Sequence, residues 1–482
     1  MTEPEQDMGG DLACDICVIG AGSGGLSVAA GAARMGARTV LVEKGKMGGD
    51  CLNYGCVPSK SLIAAAHKAH ARQTAPQFGI DYAAPVVDMA RVSAHVREVI
   101  AAIAPHDSVE RFEELGVTVI KGAARFTGPD SVQVDGRPIR AKRFVVATGS
   151  SPMVPPVPGL DTVPFMTNET VFDLDRPVRH LLVLGGGPIG VELAQAHRRL
   201  GAEVTVIEMI AVLGKDDPEC AGIVKQRLAT EGIALLEGTA VEKAALEGDD
   251  IVLTLGTDDA PRIVRGSHLL VAAGRRPNMD GLDLRAAGID ATPAGIAVDS
   301  RLRTSNRRVF AIGDVAGGYQ FTHVAGYHAG IVIRNALFRL PARADHRAVP
   351  WVTYTDPELA HVGLTEATAR QRHGDRIKVL RWPFAENDRA QAERETEGMI
   401  KVVLDGRGRV LGTTIVGRNA GELLLPWIMT VQRRGKIGAM ASVIAPYPTL
   451  GEVSKRVAGA YYTPSLFSER TRRIVRFLLR FP

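Results

Sequence analysis

No stretch of the sequence approaches the roughly 20 consecutive apolar residues that a membrane-spanning helix requires, which argues against an integral membrane protein. The start, Met1 to Gly10, is acidic and polar and lacks the basic residues and apolar run of a secretory signal, so a cytoplasmic location is expected. Cysteine is scarce. Five thiols in 482 residues do not form a structural disulfide framework, and paired spacing among them is better explained by chemistry. The bulk of the chain also lacks a charge imbalance. Net charge is +5, but residues 463–482 hold Arg470, Arg472, Arg473, Arg476 and Arg480 against the single acid Glu469, a local +4. The remainder is nearly neutral and gives no electrostatic support for nucleic acid binding.

What is present is an enzyme-sized chain with one motif used twice. Its length calls for two to four domains. Ile16, Val18 and Ile19 mark an apolar strand, followed by a turn with Gly20, Gly22 and Gly25, a small-residue helix, a second strand at 39–42 and then Glu43. Residues 181–184, then Gly185, Gly187 and Gly190, a helix at 191–200, a strand at 204–207 and Glu208 repeat the plan. The first glycine and the acid are 23 residues apart in both copies. Chemistry demands these residue types: one glycine for the tight turn, one for close approach of backbone to a pyrophosphate, one for helix against strand. The helix start presents N–H groups and a positive dipole end to phosphate, and the acid accepts from ribose hydroxyls. Two such sites imply two dinucleotides, FAD and NAD(P)H, and an electron relay between them. The expected fold class is α/β, with two Rossmann-like domains of βαβ crossovers and parallel strands.

A few residues past the first acid stands Gly48-Gly49-Asp50-Cys51-Leu52-Asn53-Tyr54-Gly55-Cys56-Val57-Pro58-Ser59-Lys60. A helix is expected to begin here and run to Arg72. Thiols at a helix start have lowered pKa, and a dithiol stores the two electrons of one hydride. The alternative is a zinc site shared with Cys14 and Cys17, whose C-x-x-C spacing falls on the first strand. Residues three apart on a strand face opposite sides, so these two read as small core residues, and Cys220 as a plain thiol.

These motifs, across roughly residues 12–465, resemble the flavin-dependent pyridine nucleotide-disulfide oxidoreductases, which include dihydrolipoamide dehydrogenase, glutathione reductase and mercuric reductase. The resemblance implies that Cys51 exchanges with substrate, that Cys56 contacts the flavin, and that Lys60 lies near the flavin, paired with Glu192. It implies FAD contacts from Gly20, Gly22, Gly25, Glu43, Lys44, Gly49, Asp50, Lys60, Thr148, Gly149 and Asp314. For the NAD site it implies Gly185, Gly187, Gly190, Glu208 and the Gly274-Arg275 turn. No residue is assigned to a resident metal. Glu208 favours NADH over NADPH, because a carboxylate repels a 2′-phosphate and no arginine follows at 209–211, although Lys215 or Arg276 could serve a phosphate.

Domain boundaries follow from the proline-containing connectors at 152–158 and 274–278. They give an N-terminal tail (1–11), an FAD domain in two parts (12–152 and 280–345) around an NAD(P) domain (153–279), an α+β dimerisation domain (346–465) and a basic tail (466–482). A homodimer is implied, with each active site drawing residues from both subunits.

One position departs from the thiol-processing relatives. Tyr447 stands where they carry a catalytic histidine, while Glu452 remains. A phenol titrating near pH 10 is a poor base beside an imidazole near 6.5. Tyrosine at this place resembles mercuric reductase, whose acceptor is a thiophilic metal ion that needs no thiol protonation. The last residues, Leu478 to Pro482, carry no vicinal cysteine pair, and no metal-binding domain precedes the flavin motif, so metal delivery would take another route. A mercuric reductase-like enzyme with a metal-ion or small-molecule acceptor is expected, with dihydrolipoamide dehydrogenase second. His323 and His328 are candidates to compensate for the missing imidazole or to pack a helix. A different class is also open: a membrane-docked electron-transfer flavoprotein serving a protein partner. Residues 469–482, if helical, gather the five arginines on one side and Ile474, Val475, Leu478, Leu479 and Phe481 on the other, with Phe477 at the border. That pattern suits either peripheral contact with an anionic membrane or packing on the dimer.

Overall fold

The structure, a computed structural model, describes residues 12–256 and 262–481; the N-terminal tail expected at 1–11 and Pro482 lie outside the described residues. The chain packs as two compact units, residues 12–185, 196–207 and 239–345 in one and residues 186–195, 208–238 and 346–481 in the other.

In the first unit, strand β1 (Leu12–Ile19) leads through a glycine turn into helix α1 (Ser23–Arg34) and strand β2 (Thr39–Glu43). Two helices follow, α2 (Gly49–Asn53) and α3 (Cys56–Thr74), and then strands β3 (Val117–Lys121) and β4 (Arg137–Val146). The strands stand in the order β3-β2-β1-β4, all parallel, and Val309–Ala311 adds a parallel strand beside β4. Ile16, Cys17, Val18 and Ile19 are all buried, as a central parallel strand covered on both faces requires. The crossover helix α1 is rich in small residues, and Gly24, Gly25, Leu26, Val28, Ala29 and Ala32 are its buried residues.

The second copy starts with strand β5 (His180–Leu184), continues in helix α4 (Pro188–Arg199) and returns in strand β6 (Glu203–Ile207), which pairs parallel with β5 from His180 opposite Glu203 to Leu184 opposite Ile207. Strand β7 (His268–Val271) lies parallel on the other side of β5. The first glycine of each turn performs the same task. Gly20 has φ +105° and Gly185 φ +113°, and an added Cβ would lie 2.4 Å from Ala147 O in one copy and 2.4 Å from Ala272 O in the other. Only glycine fits a left-handed turn pressed this closely on a neighbouring strand end.

Cys14 and Cys17 do not face opposite sides as expected. Both belong to one apolar cluster with Leu12, Ile19, Phe144 and Val146. The alternation slips at Asp15: the N–H groups of Asp15 and Ile16 both donate to Arg38 O, and the Asp15 carboxylate turns out to Lys142. Their reading as core thiols stands, and burial pushes both pKa values up. Cys220 is likewise buried, in helix Pro218–Thr230.

The first unit also contains helix α5 (Thr322–Ala336), whose Ala325 methyl would meet a Cβ on Gly24 of α1 at 3.2 Å. The second unit is organised by a five-stranded antiparallel sheet in the order Pro350–Thr353, Glu358–Gly363, Val410–Gly417, Met399–Asp405, Ile377–Pro383. Trp427 is fully buried against it and donates to Ser454 Oγ at 3.0 Å, fixing helix α6 (Glu452–Ala460). This is the α+β architecture expected of the C-terminal part. Helix α7 (Glu469–Leu478) follows, so the helix expected over 469–482 ends at Leu478.

The glycine turn yields a graded test. Gly20→Ala must place a methyl 2.4 Å from a carbonyl, whereas Gly36→Ala has a comparable φ of +81° with no atom within 4 Å. Both lose the glycine-only conformation, which costs about 1 kcal/mol, and only the first adds a steric term. Gly20→Ala should therefore lower the thermal unfolding midpoint at least about twice as far as Gly36→Ala; equal shifts would show that the close approach is not a constraint.

Candidate active site

The loop carrying the cysteines is shaped by glycine. Gly48 and Gly49 have φ of +84° and +60°, and a Cβ on Gly49 would lie 2.7 Å from Gly22 Cα. The loop backbone is thus pressed directly onto the second glycine of the first dinucleotide turn. Helix α2 then carries Cys51, and Cys56 is the first residue of α3, whose N-cap Gly55 offers no side-chain cap. Cys56 therefore sits at the positive end of a nineteen-residue helix.

The two cysteines stand as thiols, Cys51 half-buried and Cys56 exposed. They titrate as an asymmetric pair. The hydrogen bond from the Cys51 thiol is the largest influence on Cys56, and contact with Thr322 Oγ1 at 3.4 Å and the Lys60 charge add to it. Together they outweigh burial and the Asp50 carboxylate, bringing Cys56 from 9.0 down to about 6. Donating that bond, together with burial, pushes Cys51 well up. At neutral pH the pair holds one thiolate on Cys56 and one proton on Cys51. Thr322, at the start of α5, was not anticipated from the sequence; it lies 266 residues from Cys56, and no local pattern signals it.

Beneath the loop is a partly buried polar network. Arg275 donates to Ser150 Oγ and Ser150 O, both at 2.8 Å, and pairs with Asp50 Oδ1 at 3.2 Å. Ser150 Oγ donates to Asp314 Oδ2 at 2.5 Å. Asn168 donates to Asp50 Oδ1 and Tyr54 O, each at 3.1 Å. One cation thus stands among two carboxylates. Burial raises the Asp314 pKa, which the Ser150 hydroxyl and the Arg275 charge oppose. Two turns expected separately prove to be one structure: Ser150–Pro152 pairs antiparallel with Arg275–Pro277, and Thr148 and Asn278 exchange side-chain to backbone bonds of 2.7 and 3.0 Å. Gly149 and Gly274 take φ of +69° and +128° at its ends. Ser150 and Asn168 are further members that carry no signal in the sequence, and Arg275 is more than the turn residue expected of it.

The strand-end acids act alike in both copies. Glu43 accepts from Ala21 N–H at 2.6 Å and Gly45 N–H at 2.5 Å; Glu208 accepts from Gly186 N–H at 2.8 Å and Ile210 N–H at 2.9 Å. Each carboxylate braces its own glycine turn. The residues fit a dinucleotide diphosphate: Gly22 caps α1 without a side-chain bond, no acid lies in the first turn, and Gly187 has open space where a Cβ would be. Lys44 is exposed, and Arg276 is paired with Asp280 at 2.9 Å. Glu192 is buried and accepts from Tyr354 N–H at 2.9 Å.

Tyr447 is exposed, and its hydroxyl donates to Asp388 Oδ2 at 2.9 Å, a partner with no counterpart in the sequence reading. That bond, and the Asp388 charge, raise the phenol pKa further, so Tyr447 is a weaker acid than an ordinary tyrosine and holds even less phenolate to act as a base at neutral pH. Glu452 opens α6. Of the two candidate histidines, His328 is buried with Nδ1 accepting from Gly313 N–H at 3.3 Å, and His323 stacks on Phe321 with centroids 5.2 Å apart.

Comparison with known proteins agrees with this geometry. Residues 14–329 match the pyridine nucleotide-disulphide oxidoreductase family, and residues 349–458 match that family's dimerisation domain. A mercuric reductase of Bacillus cereus is 35% identical over 446 residues, 92% of this chain and 70% of that protein. A dihydrolipoyl dehydrogenase of Thermus scotoductus is 36% identical over 469 residues, 94% of this chain and 98% of that protein. Among solved structures, the HOCl-induced flavoprotein disulfide reductase RclA of Escherichia coli superimposes with a TM-score of 0.83 at 27% identity, covering 92% of this chain and 99% of its own.

The low Cys56 pKa sets a pH profile. The thiolate forms as pH rises through about 6 and is lost as pH falls below it. Alkylation of the reduced enzyme by iodoacetamide should therefore show a midpoint near 6, where an ordinary thiol would show one near 8.5. Thr322→Val removes a bond that favours the thiolate, and should slow alkylation at pH 6 by about fivefold. An unchanged rate in that variant would remove Thr322 from the site.

Proposed function

The chain belongs to the pyridine nucleotide-disulphide oxidoreductase family, and within that family we propose that it works as a mercuric reductase-like enzyme, carrying electrons from NAD(P)H to Cys51 and Cys56 and on to a thiophilic metal ion. Its cofactors are FAD and NAD(P)H, and the dimerisation domain match supports a homodimer. FAD supplies the two-electron centre between the nicotinamide and the thiols. The protein's part is binding, orientation and control of one proton.

In this reading Gly20, Gly22, Gly25 and Gly49 hold the FAD diphosphate, Glu43 and Lys44 its ribose end, and Thr148, Gly149, Asp50 and Asp314 the remainder. Gly185, Gly187, Gly190, Glu208 and Gly274 hold NADH. Lys60, with Glu192 as its proposed partner, keeps positive charge by Cys56. The Cys56 thiolate faces the flavin, and the Cys51 thiol meets the acceptor. The proposed partition is residues 12–152 and 280–345 for FAD, 153–279 for NAD(P), 346–465 for dimerisation and 466–482 as the tail. We place the enzyme in the cytoplasm, with the tail as its peripheral contact at the inner face of the membrane; no helix among the described residues is long and apolar enough to cross one.

The observation that carries the choice of acceptor is the Tyr447 hydroxyl bound to Asp388. Reduction of a disulfide substrate leaves a thiolate that must take up a proton, and a phenol with a raised pKa neither gives nor takes one readily at neutral pH. Reduction of Hg(II) by NADH yields Hg(0), NAD⁺ and one proton, with no thiol to protonate. Dihydrolipoyl dehydrogenase is the second reading, favoured by a relative equally similar in sequence.

Two measurements test the proposal. Acceptor-dependent NADH oxidation should be fast with Hg(II) and slow with lipoamide, and Tyr447→His should raise the lipoamide rate at least about tenfold; faster lipoamide turnover by the unaltered enzyme would establish the second reading. Because Glu208 places a carboxylate at the end of β6, kcat/KM should favour NADH over NADPH by about tenfold or more, and Glu208→Ala should narrow the ratio.

A further inference from the structure

We propose that residues 466–481 form an in-plane docking element for an anionic phospholipid surface, with guanidinium groups at the phosphates and phenylalanine and leucine side chains below them. The inference rests on the reading of the tail as a peripheral membrane contact and names the lipid chemistry and the residues that select it.

Helix α7 leaves both of its faces exposed. Ile474, Val475, Phe477 and Leu478 are between 47% and 59% exposed, and the residues that follow, Leu479 and Phe481, reach 78% and 61%. Leu466 and Phe467, just before the helix, are 58% and 67% exposed. An unpaired apolar face of this size needs an occupant. At about 100° per residue, Glu469, Arg472, Arg473 and Arg476 lie within an arc of about 100°, and Phe477, Ile474, Leu478 and Val475 span about 160° opposite. Contrary to the expectation that all five arginines share one side, Arg470 does not join the others. It projects between Phe477 and Ile474, about 20° inside the edge of the apolar side.

That border position discriminates among occupants. Against an apolar protein surface Arg470 would bury a charge beside Phe477, which is costly without a partner. At a lipid interface its aliphatic stem lies on the acyl boundary while the guanidinium reaches up to phosphate. Charge points the same way: Glu469 is the sole acid, engaged by Arg472 at 3.1 Å and Arg476 at 3.6 Å, and the segment retains a net +4. A second copy of the chain is the poorer occupant, since the match to the family's dimerisation domain ends at residue 458, before this segment begins.

The test uses the full-length holoenzyme and vesicles of phosphatidylcholine alone, or with about 30% phosphatidylglycerol. Flotation should be at least about tenfold stronger with the anionic vesicles and should weaken as salt is raised. Arg472→Gln with Arg473→Gln should reduce binding about tenfold, and Phe477→Ser with Leu478→Ser should abolish it, with FAD content and NADH oxidation in solution unchanged. Those solution readouts separate failure of the tail inference from failure of the enzyme reading. Absence of flotation, equal binding to both vesicles, or a shift from dimer to monomer in sedimentation of the Phe477→Ser, Leu478→Ser variant would each overturn the inference, the last by showing that the apolar face is covered by a second copy.

Discussion

Two backbones meet at Gly49 and Gly22 with no side chain between them. A methyl at Gly49 would lie 2.7 Å from Gly22 Cα, and Gly48 N–H donates to Ala21 O at 3.0 Å, so the redox loop is held directly against the dinucleotide turn. The contact couples two chemistries that must be adjacent to be useful. Gly22 opens α1, the proposed diphosphate site, and the loop continuing from Gly49 delivers Cys51 and Cys56 within seven residues. Glu43 locks the arrangement by accepting from Ala21 N–H and Gly45 N–H on either side of the contact. Rigid placement of this kind matters because electron transfer between a flavin and a sulfur needs contact, and backbone fixes position better than a mobile side chain does.

On this platform charge is arranged so that one sulfur, and only one, is a thiolate. The Cys51 hydrogen bond, Thr322 and Lys60 favour ionisation of Cys56, and Asp50 opposes it. An unpaired Asp50 would oppose it more strongly. Arg275 and Asn168 bind that carboxylate, and Arg275 also reaches Ser150, which in turn donates to Asp314. The arginine's planar fork spreads one positive charge over groups that a lysine could not bridge together. Arg275 is mostly shielded while Asp50 stays partly open to solvent, so salt screens this pair only in part, and the electrostatic setting of the thiol pair is internal to the subunit.

Much of this was legible in the sequence because it is local. The glycine spacing, the strand-end acids and the thiols of the redox loop each lie within about 25 residues, the range over which a strand, turn and helix fix geometry on their own. What was not legible is where distant segments meet. Thr322 approaches Cys56 from 266 residues away and Asn168 approaches Asp50 from 118, and neither has a spacing to betray it. Asp388, the partner of Tyr447, precedes it by 59 residues. The error at Cys14 and Cys17 has a different origin. Simple alternation along a strand assumes an unbroken pleat, and Asp15 breaks it by turning toward Lys142 while its N–H and that of Ile16 share Arg38 O. Arg470 stands apart from the other arginines because one helical step turns it about 100° from Glu469, toward the apolar side.

The proposed change of acceptor follows from separating two jobs that thiol-processing relatives combine. Forming the Cys56 thiolate needs no outside base, since Cys51, Thr322 and Lys60 set it from within. A histidine at position 447 would then serve only the other half-reaction, supplying a proton to the departing substrate thiol. A soft metal ion leaves as a neutral atom and makes no such demand, so the position is released from acid–base duty. Tyrosine can occupy it with its proton held toward Asp388, presenting an oxygen that is polar and neutral. Loss of the imidazole on this view restricts the range of acceptors while leaving the path from nicotinamide to sulfur intact.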